Sequence, residues 1–142
     1  MIFALGPGAT DDWATPLAWI DHALGRLTAA AEANPGARDQ IRQVRHAFLN
    51  TRGALLYRAG RQEEAVGALR EGMGFDPGGG VFQDWLFLAL AEHRLGHDDA
   101  AGEAALRARA ALPGVEADAV WALAEVELLV AELDLALPPP AE

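Results

Sequence analysis

Residues Leu49–Pro77 read LNTRGALLYRAGRQEEAVGALREGMGFDP, and residues Trp85–Pro113 read WLFLALAEHRLGHDDAAGEAALRARAALP. Sliding the first onto the second pairs Arg58 with Arg94, Gly60 with Gly96, Ala65 with Ala101, Ala68 with Ala104 and Pro77 with Pro113, each 36 positions apart. A fixed period of this size is the pattern of stacked helical hairpins rather than of a single closed core. Such stacks present surfaces and seldom perform chemistry, so the repeat already directs the functional question toward binding.

Working outward, Gly and Pro punctuation divides the chain into six helical segments. The first is expected from about Asp11 to Ala33, capped by Asp11 or Asp12 and stopped by Asn34-Pro35-Gly36, with Trp13, Leu17, Ile20, Leu24 and Leu27 on one face. The second runs from about Ala37 to Ala59, the third from Gln62 to a point before Asp76, with Gly72 and Gly74 weakening its last turn. Gly78-Gly79-Gly80 reads as a flexible joint. A fourth helix covers Val81 to Leu95, a fifth follows His97-Asp98 and ends at Leu112-Pro113, and a sixth runs from about Val115 to Leu137. Short connections make successive helices antiparallel neighbours. The expected organisation is a single domain over 1–142, with a divergent first hairpin over 11–59 and following helices over 61–95 and 98–137.

Composition narrows the chemistry. The 142 residues suit one domain, and a chain of this length buries roughly 68–70% of its unfolded surface. There is no Cys, no Ser and no Lys. That removes disulfides, thiolate metal sites, thiol and serine nucleophiles, and Schiff-base chemistry. All 11 basic residues are Arg, and with abundant Ala, Gly and Pro this suggests a GC-rich bacterial genome. A net charge of −10 opposes nonspecific nucleic-acid binding and adsorption to anionic membranes. The opening MIFALGPGA lacks a basic leader and does not read as a signal peptide, and no apolar run spans a bilayer. The expected partners are therefore proteins or peptides, with no nucleic acid and no membrane, in the cytoplasm.

The two aligned segments resemble the tetratricopeptide repeat, whose usual period is about 34 residues. The positions that carry the resemblance are Leu49, Gly53, Leu56, Tyr57, Gly60, Ala65, Leu69 and Pro77 in the first copy, and Trp85, Leu88, Ala89, Gly96, Ala101, Ala108 and Pro113 in the second. Small residues at Gly53, Ala65, Ala89 and Ala101 would let paired helices approach closely, and Gly60 and Gly96 sit where a positive φ is needed to leave the helix. Two positions depart from the pattern: Arg52 stands where the family favours Leu, and Glu92 where it favours an aromatic. The wording YRAGR and DWLFLALAEHRLGH is similar to repeats of large bacterial signalling proteins, which implies a scaffolding context for roughly half the chain. The resemblance implies an all-α, tetratricopeptide-like α-solenoid of about three antiparallel hairpins.

In that family the first helix of each hairpin lines a concave groove. By resemblance, Asn50, Ala54, Tyr57 and Arg58 would face it from one copy, and Leu86, Phe87, Leu90, His93 and Arg94 from the other. Such a groove suits a short amphipathic peptide with an acidic end held by Arg58 and Arg94. The competing expectation is that the long first helix fills it. The family's clamp for a C-terminal carboxylate is absent, because Leu86 and Phe87 occupy the matching positions.

The last helix carries two apolar faces. One holds Val115, Ala119, Leu123, Val126, Val130, Leu133 and Leu137; the other holds Ala117, Trp121, Ala124, Leu128 and Leu135. Acidic stripes of Asp118, Glu125, Glu132 and of Glu116, Glu127, Asp134 separate them. One face can cap the open end of the stack. The second, through Trp121, Leu128 and Leu135, is a candidate homodimer or assembly surface.

Catalytic and metal readings are set aside. His93 and His97 are four apart, but Gly96 interrupts the helix between them, so they do not form a two-His metal motif. Glu63-Glu64 favourably opposes a helix dipole. Gly78–Gly80 lacks the Lys and Ser/Thr of a phosphate loop, and His22 and His46 have no visible triad partner. The expected function is a non-catalytic adaptor or scaffold without cofactor or metal. Its alternative is an oligomerisation module acting through the C-terminal helix.

Overall fold

A computed structural model describes residues 8, 10–112 and 120–141, with the side chains of 120–123 outside the described set. It is all-α, with six helices and no strand among the described residues: α1 (Ala14–Ala33), α2 (Arg38–Arg58), α3 (Gln62–Met73), α4 (Phe82–Arg94), α5 (Asp98–Ala111) and α6 (Val120–Ala136). A 3₁₀ turn at Pro35–Ala37 links α1 to α2. None of these helices is long and apolar enough to cross a membrane. Positions 113–119, with Pro113 and the expected start of the last helix, lie outside the described residues, as does MIFALGPGA except Gly8.

The repeat reappears in the backbone at the two hairpin turns. After α2, Gly60 takes φ 77°, and the amides of Gly60 and Arg61 donate to the carbonyls of Tyr57 (3.1 Å) and Leu56 (2.9 Å). After α4, Gly96 takes φ 76°, and the amides of Gly96 and His97 donate to the carbonyls of His93 and Glu92, both at 3.0 Å. Every partner in the second turn lies 36 positions beyond its counterpart. These crossed bonds satisfy carbonyls that the ending helix leaves open, and glycine reaches the left-handed conformation at no Cβ cost.

Close packing of α2 on α3 follows from small residues. A Cβ on Gly53 would stand 2.5 Å from Leu69 Cγ, and one on Gly72 would stand 3.0 Å from Leu49 Cβ. Gly72 therefore marks an approach between helices as well as a weak helix position. Ala65, Ala89 and Ala101 are fully buried. α4 packs against α5 in the same manner as α2 against α3, and α3 packs against α4 to join the hairpins.

Some local features differ from expectation. α1 begins at Ala14 because Asp12 accepts hydrogen bonds from the Thr15 amide (3.2 Å) and hydroxyl (2.6 Å), and those bonds hold its carboxyl below the usual range. α3 runs from Gln62 to Met73 with Gly74 as its cap, ending before Asp76 as expected. The triglycine joint is tethered: the Gly80 amide donates to the Asp76 carboxylate at 2.8 Å, and the Gly79 amide to the Asp76 carbonyl at 3.0 Å. Among the described residues, α6 lies over α4, and α5 meets it through Arg109.

α1 packs along α2 through buried Leu17 and Ile20, with Trp13 and Leu24 partly covered. Arg52 binds Asp21 of α1 at 2.6 Å, so its departure from the repeat pattern serves the α1–α2 contact. α1 makes no comparable contact with α4 and does not fill the face between α2 and α4.

Gly53→Ala is expected to lower stability by about 1–3 kcal/mol, because the added methyl has no space beside Leu69. Denaturant unfolding should also show that Gly53→Ala combined with Leu69→Ala costs less than the two single losses summed. Additive losses would show that this approach does not limit the hairpin.

Candidate functional site

α2 and α4 bring the expected groove residues together, but the face they form is covered. Tyr57, Leu86, Phe87 and Leu90 are at most 2% exposed. Tyr57 and Phe87 meet with ring centroids 5.9 Å apart and planes inclined at 58°, an ordinary aromatic pair. The cover is α6, whose Leu129 and Leu133 are buried in the same core cluster. The expectation of an open groove is thus corrected, and so is the competing one: the last helix, not the first, occupies it.

The seat of α6 is electrostatic as well as apolar. Glu132 receives two hydrogen bonds from the Arg58 guanidinium, both at 2.6 Å, and one from the Tyr57 hydroxyl at 3.1 Å. The Arg58 side chain is 4% exposed, and its guanidinium lies 5.2 Å from the Tyr57 ring centre and 5.7 Å from that of Phe87. A planar cation suits this position, since it stacks on rings while its fork grips a carboxylate. The carboxylate expected from a peptide ligand is here supplied by the chain itself.

Arg94 lies 4.3 Å from the centre of the Tyr57 ring and has no carboxylate partner among the described residues. His93 is partly buried, and its Nδ1 has no hydrogen-bond partner among the described residues. Tyr57, Leu90, His93 and Arg94 line a cleft of about 280 Å³ closed on its other side by Glu132, Leu135 and Ala136. Of the expected groove residues, His93 and Arg94 thus remain at the accessible edge. Burial, reinforced by the Glu132 carboxylate, pushes the Tyr57 hydroxyl up to about 12.

Asn50 faces a different task. Its side-chain amide donates to Asp84 Oδ1 at 2.7 Å, while Asp84 Oδ2 bonds the His46 ring (2.6 Å) and the Val81 amide (2.9 Å). Asp84 is fully buried, so its three partners offset the cost of taking a carboxylate out of water. It also closes the first turn of α4 and ties it to α2. Glu92, the other departure from the repeat pattern, is buried between Arg70 of α3 (2.7 Å) and His97 of the following turn (2.6 Å). Both carboxylates are structural anchors between hairpins, as is His46, whose partner was not visible in the sequence. His93 and His97 do not converge, and no group of three or more His, Asp or Glu residues among those described could hold a metal ion.

Leu128 of α6 is 72% exposed, Leu135 at the mouth of the cleft is 87% exposed, and the Trp121 side chain lies outside the described residues. The sequence reading missed Leu129 as a buried anchor and placed Glu132 in an acidic stripe. The available signal was its position three after Leu129 and one before Leu133, at the edge of the buried face. Arg109 of α5 holds the far end of α6 through Asp134 (2.8 Å) and the Leu137 carbonyl. No protein-family model, curated protein or solved structure matches the chain.

Tyr57 is the only tyrosine, so ultraviolet absorbance reports its ionisation alone. The phenolate band should appear with a midpoint near about 12 rather than about 10. Because folding favours the neutral phenol, its contribution to stability is complete below about pH 10 and is lost as pH rises toward about 12. A midpoint near about 10 would show that the phenol is not enclosed by α6.

Proposed function

We propose that this chain is a non-catalytic protein-interaction module, an adaptor or scaffold segment, that takes a peptide or partner protein on the face formed by α2 and α4. The architecture proposed for it is tetratricopeptide-like, with α2–α3 and α4–α5 as two stacked hairpins flanked by α1 and α6. The repeated left-handed turns at Gly60 and Gly96 support that architecture. The observation that carries the functional reading is α6 itself: it lies against this face as a helix seated by Leu129, Leu133 and the flanking Val126, Val130, Ala136 and Leu137, with Glu132 on Arg58, so the surface is shaped to accept a helical segment. The absence of Ser, Cys and Lys, together with the internal partners of Asp84 and Glu92, favours binding over catalysis.

The test is selection of random displayed peptides on the full chain. Selected peptides should be acidic and apolar, and Arg94→Glu should weaken them at least about tenfold, as expected for reversal of a charge at a binding edge. Peptides that bind the Arg94→Glu chain equally well would move the binding surface elsewhere.

A second reading rests on exposed Leu128 and Leu135, which could join two copies through α6. Light scattering after size-exclusion chromatography distinguishes it. A dimer that Leu128→Asp converts to monomer supports assembly, and a monomeric wild-type chain removes that reading.

A further inference from the structure

The placement of α6 is not that of one more layer of the repeat. α4 stacks on α3, whereas the described part of α6 meets α5 through Arg109 and reaches across α4 to the end of α2. It buries Leu129 and Leu133, leaves Leu128 exposed and keeps the exposed Leu135 at the mouth of the cleft. Leu129, Glu132 and Leu133 stand three and four residues apart, the spacing by which grooves take partner helices, and the partly buried Val126, Val130, Ala136 and Leu137 pack beside them.

The groove also has a charge requirement. With α6 gone, Arg58 would remain packed on the rings of Tyr57 and Phe87 without the two bonds from Glu132, and a desolvated cation without a partner is costly. Any replacement must bring a carboxylate to the same point. The groove offers more than α6 uses, because among the described residues Arg94 has no carboxylate and His93 Nδ1 no hydrogen-bond partner, and the cleft beside them is faced by apolar Leu135.

We propose that the α2–α4 groove recognises an acidic amphipathic helix of the pattern Leu-x-x-Glu-Leu-x-acid, that α6 is its own-chain occupant, and that a partner's second acid, at the place of Leu135, engages Arg94 and displaces α6. This rests on the reading of the chain as an interaction module and specifies its partner. α6 matches the first part of the pattern as Leu129, Glu132 and Leu133 and lacks the last acid. Tethering gives α6 a high effective concentration, so a competitor needs that additional contact.

The probe is a fluorescein-labelled peptide of residues 124–137 carrying Leu135→Glu, followed by fluorescence anisotropy with the full chain. Leu133→Asp in the protein should free the groove and strengthen probe binding at least about tenfold over wild type. Glu132→Arg, which repels α6 from Arg58 and leaves its leucines intact, is the second opening variant and should act likewise. The unmodified 124–137 peptide should bind more weakly than the probe. Adding Arg58→Glu to the Leu133→Asp chain should abolish binding, and a probe carrying Glu132→Arg should restore it, a charge exchange that misfolding cannot imitate. Failure of the probe to bind either opening variant, with helical circular dichroism retained, overturns the proposal. Equal binding with and without Arg58→Glu does so too. If displayed peptides sensitive to Arg94→Glu still bind in that case, the interaction reading stands and only this occupant falls; if they do not, both fall.

Discussion

The distance at which α2 can approach α3 governs the rest of the molecule. Gly53 leaves no room for a side chain beside Leu69, and Gly72 leaves little beside Leu49. The turn at Gly60 then returns the chain at the angle that this approach requires. The same solution recurs at Ala89, Ala101 and Gly96, so the second hairpin presents α4 alongside α2. Ridges of small residues lower the separation between helix axes, and a shorter separation sets which side chains can meet across the α2–α4 face. Tyr57 and Phe87 meet there because both hairpins are closed in the same manner.

Buried charge supplies the specificity that apolar packing lacks. Leucine and alanine faces tolerate small slips in register, but Asp84 cannot slip without abandoning His46, Asn50 and the Val81 amide. Glu92 fixes α4 against α3 and the following turn through Arg70 and His97. Arg58 and Glu132 fix where α6 lies. Each is a group whose partners must be present once water is removed, so each discriminates among packings that hydrophobic burial alone would leave close in energy. The two hairpins and α6 are therefore aligned by three carboxylates, one of which, Glu92, stands where the chain departs from the repeat pattern.

Much of the local structure was legible in the residues. The helix ends at Gly60 and Gly96, the small-residue contacts and the inward face of α1 follow from spacing and from the conformational preferences of glycine, which act over a few residues. The grouping of Tyr57 and Arg58 with Phe87 and Leu90 came from the resemblance of the two segments to a known repeat rather than from periodicity. Even the need for an acid at Arg58 could be anticipated from the apolar surroundings of that guanidinium. Asp84 was not recognised as a buried anchor, since its partners His46 and Asn50 come from another helix.

The periodic spacing of small, apolar and turn residues thus specified the helices and the turns at Gly60 and Gly96, since each depends on neighbours close along the chain or one repeat away. The occupant of that face was decided in three dimensions. Glu132 lies 74 positions from Arg58, and nothing in local periodicity distinguishes an acid that meets a buried cation from one that meets water. Only the folded arrangement shows that α6 lies across α4 with Glu132 on Arg58, because that choice depends on matching a desolvated guanidinium to a distant carboxylate.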